Sequence, residues 1–207
     1  MSREDEPMTE KEKMLSGALY DPADPELTAL RDKASRLGKA YNDTVEAEVE
    51  KRQAILDEWN IRRGADVYIR GPVWFDYGCF TSIGENTFIN FNFTCLDCCP
   101  VEIGDNVFMG PNISILTPMH PLRWQERNVF RKPDGAIANL EYAKPIKIES
   151  NCWISGNVTI CGGVAIGAGS VIGAGSVVTR DIPPNVVAAG VPCRVIRPIT
   201  EDDRMSD

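Results

Sequence analysis

A strict six-residue repetition of apolar positions runs from Ile148 to Pro183. A β-branched residue opens each hexad, and a small or apolar residue returns four positions later. The first series comprises Ile148, Ile154, Ile160, Ile166, Ile172 and Val178, and the second comprises Cys152, Val158, Val164, Ser170, Ser176 and Ile182. Because no single repeat can bury its apolar side alone, this period is typical of short strands stacked coil upon coil. A helix would need an apolar stripe every 3.6 residues, so the pattern predicts a mainly β solenoid. A flexible glycine-rich linker is excluded by the regularity of the isoleucines.

The same period continues upstream, but it is interrupted twice. It runs through Ile83, Ile89, Cys95 and Val101 and, after a slip of two residues, through Ile103, Met109 and Ile115. The slip predicts a bulge or a longer corner. The period then stops and resumes at Ile146 or Ile148, which predicts an extruded loop over 117–145. Loops of this length in a compact repeat domain are usually functional.

Residues 1–62 differ from the rest of the chain by their high charge and helical spacing. Thr9 and Glu12 form a capping-box pattern, and Asp24-Pro25 is a second helix start. We expect one short helix and two longer ones, which would cover the open end of the repeat stack. The predicted organisation is therefore a helical segment at 1–62, a β-helix domain at 63–199 and a frayed acidic tail at 200–207.

Composition narrows the possible partners and location. The 207 residues allow one domain with an accessory piece, and the net charge of −8 argues against nucleic acid or an anionic membrane as partner. The sequence contains neither an apolar run long enough for a membrane span nor a signal-peptide pattern, so we expect a cytoplasmic protein. The seven cysteines do not form a disulfide pattern, and the cluster Cys95, Cys98 and Cys99 has no partner residues at zinc spacing.

The single histidine of the chain, His120, lies at the start of the predicted extruded loop. A lone histidine is ordinarily a surface or packing residue. Here a rigid scaffold would hold it within reach of a substrate, and histidine can take a proton from a hydroxyl and return it near neutral pH. We therefore regard His120 as a candidate general base.

Several segments together resemble the maltose and galactoside O-acetyltransferases of the hexapeptide-repeat class. The resemblance extends from about residue 8 to 199 and rests on a combination of motifs. These motifs are Lys13–Gly17 with Leu19-Tyr20, Phe75–Gly78, Asn90–Asn92, Ile103–Asn106, His120-Pro121, Val177–Pro183 and Gly190–Arg197.

The resemblance implies a left-handed parallel β-helix and a homotrimer whose active sites are shared between neighbouring subunits. It implies acetyl transfer from acetyl-CoA to a sugar hydroxyl, typically the 6-hydroxyl, in a ternary complex without a covalent acyl-enzyme. His120 matches the catalytic base, and Asn90 matches the residue that holds the acceptor and steadies the transition state. Asn90 could otherwise be a turn residue in an asparagine ladder.

The resemblance also implies two binding sites. For the acceptor we expect Asp76, Asn90, Asp97 and Cys98, with Asp21 or Asp24 as a further acidic contact. For acetyl-CoA we expect Trp153, Gly156, Ala174, Thr179, Arg180, Arg194 and Arg197. The small residues around Ala174 would leave room for a thin pantetheine chain, and the three arginines suit phosphate. No metal is required.

Departures from the family pattern leave the acceptor open. The chain reads Thr117-Pro118-Met119 before His120, and the loop from Arg123 to Lys144 has its own sequence. Two alternatives remain: acetylation of a non-sugar acceptor, and a non-catalytic trimeric scaffold. A γ-type carbonic anhydrase is excluded, because its zinc site needs three histidines.

Overall fold

A computed structural model describes residues 7–205, so the first six residues of the predicted helical segment lie outside the described part. Within these residues the α-helices are α1 (Glu10–Ser16), α2 (Pro25–Asn42), α3 (Val49–Trp59) and, within the extruded loop, α4 (Trp124–Arg127). The predicted starts are present: Thr9 and Glu12 form the capping box of α1, and the Asp24 carboxylate accepts hydrogen bonds at the start of α2. Between residues 7 and 205, no helix has the length and apolar character needed to cross a membrane.

Three short strands make each coil. The first three coils contain β1 (Arg62–Arg63), β2 (Tyr68–Ile69), β3 (Val73–Phe75), β4 (Thr81–Ile83), β5 (Phe88–Ile89), β6 (Phe93–Leu96), β7 (Val101–Ile103), β8 (Phe108–Met109) and β9 (Ser114–Leu116). The extruded loop contains β10 (Pro118–Met119), β11 (Phe130–Arg131), β12 (Ile137–Ala138) and β13 (Tyr142–Ala143). Two further coils contain β14 (Ile146–Ile148), β15 (Trp153–Ile154), β16 (Thr159–Cys161), β17 (Ala165–Ile166), β18 (Val171–Ile172) and β19 (Val177–Val178). A partial coil ends with β20 (Val186–Ala189) and β21 (Arg194–Pro198).

The strands stack into three sheets that form the sides of a β-helix. Sheet I has the order β1-β4-β7-β14-β17, sheet II the order β2-β5-β8-β15-β18-β20-β21, and sheet III the order β3-β6-β9-β16-β19. Neighbouring strands are parallel throughout, except for the final antiparallel pair β20 and β21. The mainly β solenoid predicted from the hexads is confirmed.

The hexad positions fill the interior of the stack. Both predicted series are buried, and Ile154, Ile160 and Ile172 are fully so. The buried hydroxyl of Ser170 donates to the Pro183 carbonyl at 2.8 Å, which satisfies a polar group inside the core. All seven cysteines are free thiols, and Cys95 packs in this core.

Helices α2 and α3 lie over the first coil, where the stack would otherwise end in unpaired strands. Asn42 bonds both backbone groups of Val73, and the Tyr41 hydroxyl donates to the Ile69 carbonyl at 2.7 Å. The Trp59 indole donates to the Tyr77 carbonyl at 3.0 Å. These bonds satisfy edge groups that would otherwise be open to another chain.

The β-helix has three corners, where one sheet passes to the next, and two of them matter for function. The loop corner joins sheet III to sheet I and consists of 76–80 in the first coil, 97–100 in the second and 117–145 after the third. The slip of two residues is thus a longer corner and not a bulge. The asparagine corner joins sheet II to sheet III, and its turns contain Asn92, Asn112 and Asn157 in the left-handed region, with φ of 60°, 60° and 58°.

The acidic tail is more ordered than expected. Residues Glu201–Asp203 form a short 3-10 turn, and Asp203 binds the Arg197 guanidinium through both carboxylate oxygens, at 2.7 and 2.6 Å. The expectation of a frayed tail is wrong for these residues, because a bidentate ion pair holds them.

Candidate active site

The base of the extruded loop places His120 beside Glu141. Strands β10 and β13 pair antiparallel, so His120, which follows β10, lies next to Glu141, which precedes β13. The His120 Nε2 atom is 3.7 Å from the Glu141 Oε2 atom. The imidazole is 47% exposed whereas the carboxylate is only 15% exposed, so a substrate can reach the histidine and its partner is sheltered.

Tyr20 fixes the Glu141 carboxylate. Its hydroxyl donates to Glu141 Oε1 at 2.5 Å, and the two residues also exchange backbone hydrogen bonds, at 3.0 and 3.2 Å. Burial raises the pKa of Tyr20, which keeps the phenol protonated as a donor. Glu141 was missed in the sequence, because its partner is distant along the chain and no local pattern marks the pair.

Cys98 and Asp76 continue this contact chain along the loop corner. The Cys98 thiol lies beside the Tyr20 hydroxyl and donates to Asp76 Oδ2 at 3.3 Å. Burial raises the pKa of both side chains. The thiol is therefore a neutral donor and not a thiolate nucleophile. Two of the predicted acceptor residues are thus linked through Tyr20 to Glu141, the partner of the predicted base, although Cys98 itself is buried.

Asp97 has a different role from the predicted acceptor contact. It is fully buried at 0% exposure. Its Oδ1 atom accepts from the backbone of Tyr77 and Gly78 at 2.9 and 3.0 Å, and Oδ2 accepts from the Phe80 backbone and the Thr81 hydroxyl at 3.2 and 3.0 Å. Burial raises its pKa to about 6, although these bonds act in the opposite direction. The structure thus corrects the prediction that Asp97 contacts the acceptor. Its buried oxygens instead hold the corner turn together.

The two acidic residues near the N-terminus are also engaged. Asp24 caps α2 with its carboxylate. Asp21 is buried and forms an ion pair with Lys132, which the extruded loop supplies. Since Asp24 is occupied as a helix cap, Asp21 is the acid that adjoins the loop.

The asparagine corner carries Asn90 and two predicted donor residues, Gly156 and Ala174. The side chains of Asn92, Asn112 and Asn157 form a ladder with hydrogen bonds of 3.0 Å between successive rungs. Asn90 is not a rung, because its side-chain oxygen accepts from the Phe91 backbone at 2.9 Å. The ladder position considered for Asn90 is therefore occupied by Asn92, two residues further along the chain.

The remaining donor candidates lie on two sides of the stack. Trp153 points outward from sheet II and is 54% exposed. Arg194 and Arg197 lie on the last strand of the same sheet, whereas Thr179 and Arg180 follow β19 at the loop corner. Arg194 donates to the Cys193 carbonyl, and Arg197 is held by Asp203.

The structure does not bring His120 and Asn90 together within the chain. They lie at opposite edges of sheet III, whose strands of two to four residues span on the order of 10 Å. Across residues 7–205, no hydrogen bond or ion pair joins them. The chain therefore presents the predicted base at one corner and Asn90 at the other.

Comparison with known proteins identifies the family. A family model described as maltose acetyltransferase hexapeptide capping motif matches residues 13–59, and one described as bacterial transferase hexapeptide (six repeats) matches residues 145–180. The galactoside O-acetyltransferase of Escherichia coli (strain K12) is 42% identical over 198 residues, which cover 96% of this chain and 92% of that protein. The chain belongs to the galactoside and maltose O-acetyltransferase family.

Solved structures agree with this membership. The maltose O-acetyltransferase from Clostridium difficile 630 aligns with a TM-score of 0.86 at 46% identity, covering 94% of this chain and 99% of that one. A galactoside acetyltransferase in complex with coenzyme A aligns with a TM-score of 0.87 at 40% identity, covering 97% and 96%. Membership in the family makes the chain an acetyl-CoA-dependent O-acetyltransferase.

The cysteine cluster of this O-acetyltransferase has packing and hydrogen-bonding partners. Cys95 lies in the core, Cys98 donates to Asp76, and Cys99 donates to the Leu15 carbonyl at 3.6 Å. Among the residues that the structure describes, no group of three histidine, cysteine, aspartate or glutamate side chains could hold a metal ion.

Proposed function

We propose that this O-acetyltransferase moves the acetyl group of acetyl-CoA directly to a sugar hydroxyl, the 6-hydroxyl, within a ternary complex. The observation that carries the proposal is the exposed imidazole of His120 beside a sheltered carboxylate, which Tyr20 links to Cys98 and Asp76 at the same corner. A base, its partner and an acceptor-binding acid thereby lie at one corner.

The reaction needs a base and an oxyanion donor. His120 takes the proton of the hydroxyl as its oxygen attacks the thioester carbonyl carbon. The carbon–sulfur bond then breaks, and the imidazolium returns the proton to the leaving thiolate. A general base and one oxyanion donor contribute about 10²–10⁴ and 10²–10³ in rate. Asn90 supplies the donor.

Because His120 and Asn90 lie at opposite edges of sheet III, a complete site requires a second subunit. We assign them to neighbouring subunits of a homotrimer. The outward side of sheet II supports association, since Tyr68, Phe88, Phe108 and Trp153 form one aromatic column in register across four strands. An exposed column of this kind is typical of a surface that is covered on assembly.

Acetyl-CoA lies at the end of the stack opposite the acceptor. Gly156 and Ala174 belong to the fourth and fifth coils, and Arg194 and Arg197 belong to the final partial coil. Arginine suits phosphate because its planar fork can bind two oxygens. A need for acetyl-CoA and the seven free thiols favour the cytosol.

Glu141 acts as a positioning residue through His120. Its carboxylate favours the imidazolium that forms when the base takes a proton, as a buried acid does in a catalytic triad. We expect Glu141→Gln to lower kcat about tenfold or more with little change in KM for acetyl-CoA. Tyr20→Phe, which removes only the hydroxyl, should give a smaller loss. A purely structural role would instead change the melting temperature and both KM values together.

The decisive test of the function is thiol release from acetyl-CoA against a panel of sugars, glycosides and small alcohols, with the product analysed by NMR. We expect turnover with sugars and an acetyl group on the 6-oxygen. Turnover with non-sugar alcohols alone would show that the acceptor is not a sugar. The absence of thiol release with any acceptor would favour the non-catalytic scaffold.

A further inference from the structure

Trp74 is an exposed aromatic residue two positions before the acceptor candidate Asp76, which follows the end of β3. In β3 the side chains of Val73 and Phe75 point into the core, so Trp74 points outward and is 55% exposed. The Asp76 N–H still donates to the Cys95 carbonyl at 3.2 Å, so the extended pairing continues one residue past β3 and the alternation of side chains places Asp76 on the side of Trp74. A single exposed tryptophan needs no explanation by itself. Its position near the acceptor candidate Asp76 is the reason to consider it for acceptor binding.

The surroundings of Trp74 leave its indole open. Its partner in the second coil is Thr94, and the next in register is Ser114. Both are small residues with a hydroxyl group, so the polar surface next to the indole lies below the level of the ring. The strand is rigid, because Asn42 bonds both the N–H and the carbonyl of Val73, at 2.8 and 3.0 Å.

The coil order gives the direction in which an acceptor extends. Donor candidates belong to the fourth coil and beyond, His120 leaves the stack after the third coil, Cys98 belongs to the second, and Asp76 and Trp74 belong to the first. Neighbouring coils are about 4.8 Å apart, so Trp74 lies roughly 10 Å from the third coil along the stack. That separation exceeds one sugar ring, and it suits the second ring of a disaccharide or the group attached to a glycoside.

We propose that Trp74 is a platform for the second ring of the acceptor, so that this enzyme prefers disaccharides and glycosides to free monosaccharides. This inference rests on the proposed function and deepens it. The indole covers the apolar side of the distal ring, and Asp76, which the buried Cys98 thiol holds in place, bonds hydroxyls at its edge. An aromatic body next to a carboxylate suits a ring that is apolar on its faces and polar at its rim.

The test compares matched acceptors in wild type, Trp74→Ala and Trp74→Phe. The acceptors are maltose with glucose and an aryl galactoside with galactose, and the readout is thiol release at saturating acetyl-CoA. We expect Trp74→Ala to raise the acceptor KM for maltose and the aryl galactoside about tenfold and to leave glucose, galactose and acetyl-CoA nearly unchanged. Trp74→Phe should retain most of the preference.

Three results would overturn the inference. Equal KM changes for a disaccharide and its monosaccharide would show that Trp74 acts on the whole site. Unchanged KM values would show that it touches no acceptor. A change of oligomeric state in Trp74→Ala, seen by light scattering, would show that another subunit covers it. Failure of wild type to release thiol with any sugar would refute the proposed function itself, which is a separate outcome.

Discussion

Replacement of Asp97 tests whether this carboxylate builds the corner or binds the acceptor. In Asp97→Asn one oxygen remains to accept from Tyr77 and Gly78, but an amide NH₂ replaces Oδ2 and faces the Phe80 N–H and the Thr81 hydroxyl. The Thr81 hydroxyl can rotate to accept a hydrogen bond from this amide, so only the Phe80 N–H loses its partner. An unpaired buried donor costs about 1–3 kcal/mol, and relief of the buried charge offsets part of this.

We therefore expect Asp97→Asn to lower the free energy of unfolding by about 2 kcal/mol. Asp97→Ala leaves three backbone N–H groups without an acceptor and should lower it by about 4 kcal/mol. Urea denaturation at one fixed protein concentration measures both, since the proposed assembly would make stability depend on concentration. A stable Asp97→Asn variant with a raised acceptor KM would refute the structural role and restore the acceptor assignment.

Three further outcomes follow from other contacts. Asp203→Asn frees Arg197 from its carboxylate, so KM for acetyl-CoA should fall about twofold to fivefold at low salt; a rise would show that Asp203 positions the arginine. Lys132→Met removes the ion pair to Asp21 and should raise the acceptor KM a few-fold with KM for acetyl-CoA unchanged; an equal change in both would contradict a local effect on the loop. Asn112→Ala should lose about 2 kcal/mol of stability, because it breaks the ladder and because alanine tolerates φ 60° less well than asparagine does. Asn112→Gly also breaks the ladder but has no β-carbon to strain, so it should lose less. The reverse order, measured by thermal melting, would exclude backbone strain.

The sequence predicted the stack well because its signals are local. A hexad period specifies which residues face inward, and Ile154, Ile160 and Ile172 are buried as expected. Helix starts at Thr9 and Asp24 were equally readable, since a cap bonds to residues two or three positions away. These features need no knowledge of distant parts of the chain.

The site was predicted less completely because its contacts join distant segments. Glu141 carries no motif, and only the closure of β10 against β13 brings it to His120. Asp97 was assigned to the acceptor because it or Cys98 stands where the family often has an aspartate, but the side chain of Asp97 turns into the corner. The slip of two residues was visible in the sequence. That it forms a longer corner, and not a bulge, becomes clear only when the first three coils stack with their long connections at the same corner.

Replacement of His120 tests the central claim most directly. In His120→Ala, thiol release with acetyl-CoA and a sugar that wild type accepts should show kcat reduced by about 10² or more, with KM for acetyl-CoA and the oligomeric state unchanged. That result would assign the proton transfer to this side chain and leave donor binding to the rest of the stack. Turnover close to that of wild type would contradict the general-base assignment.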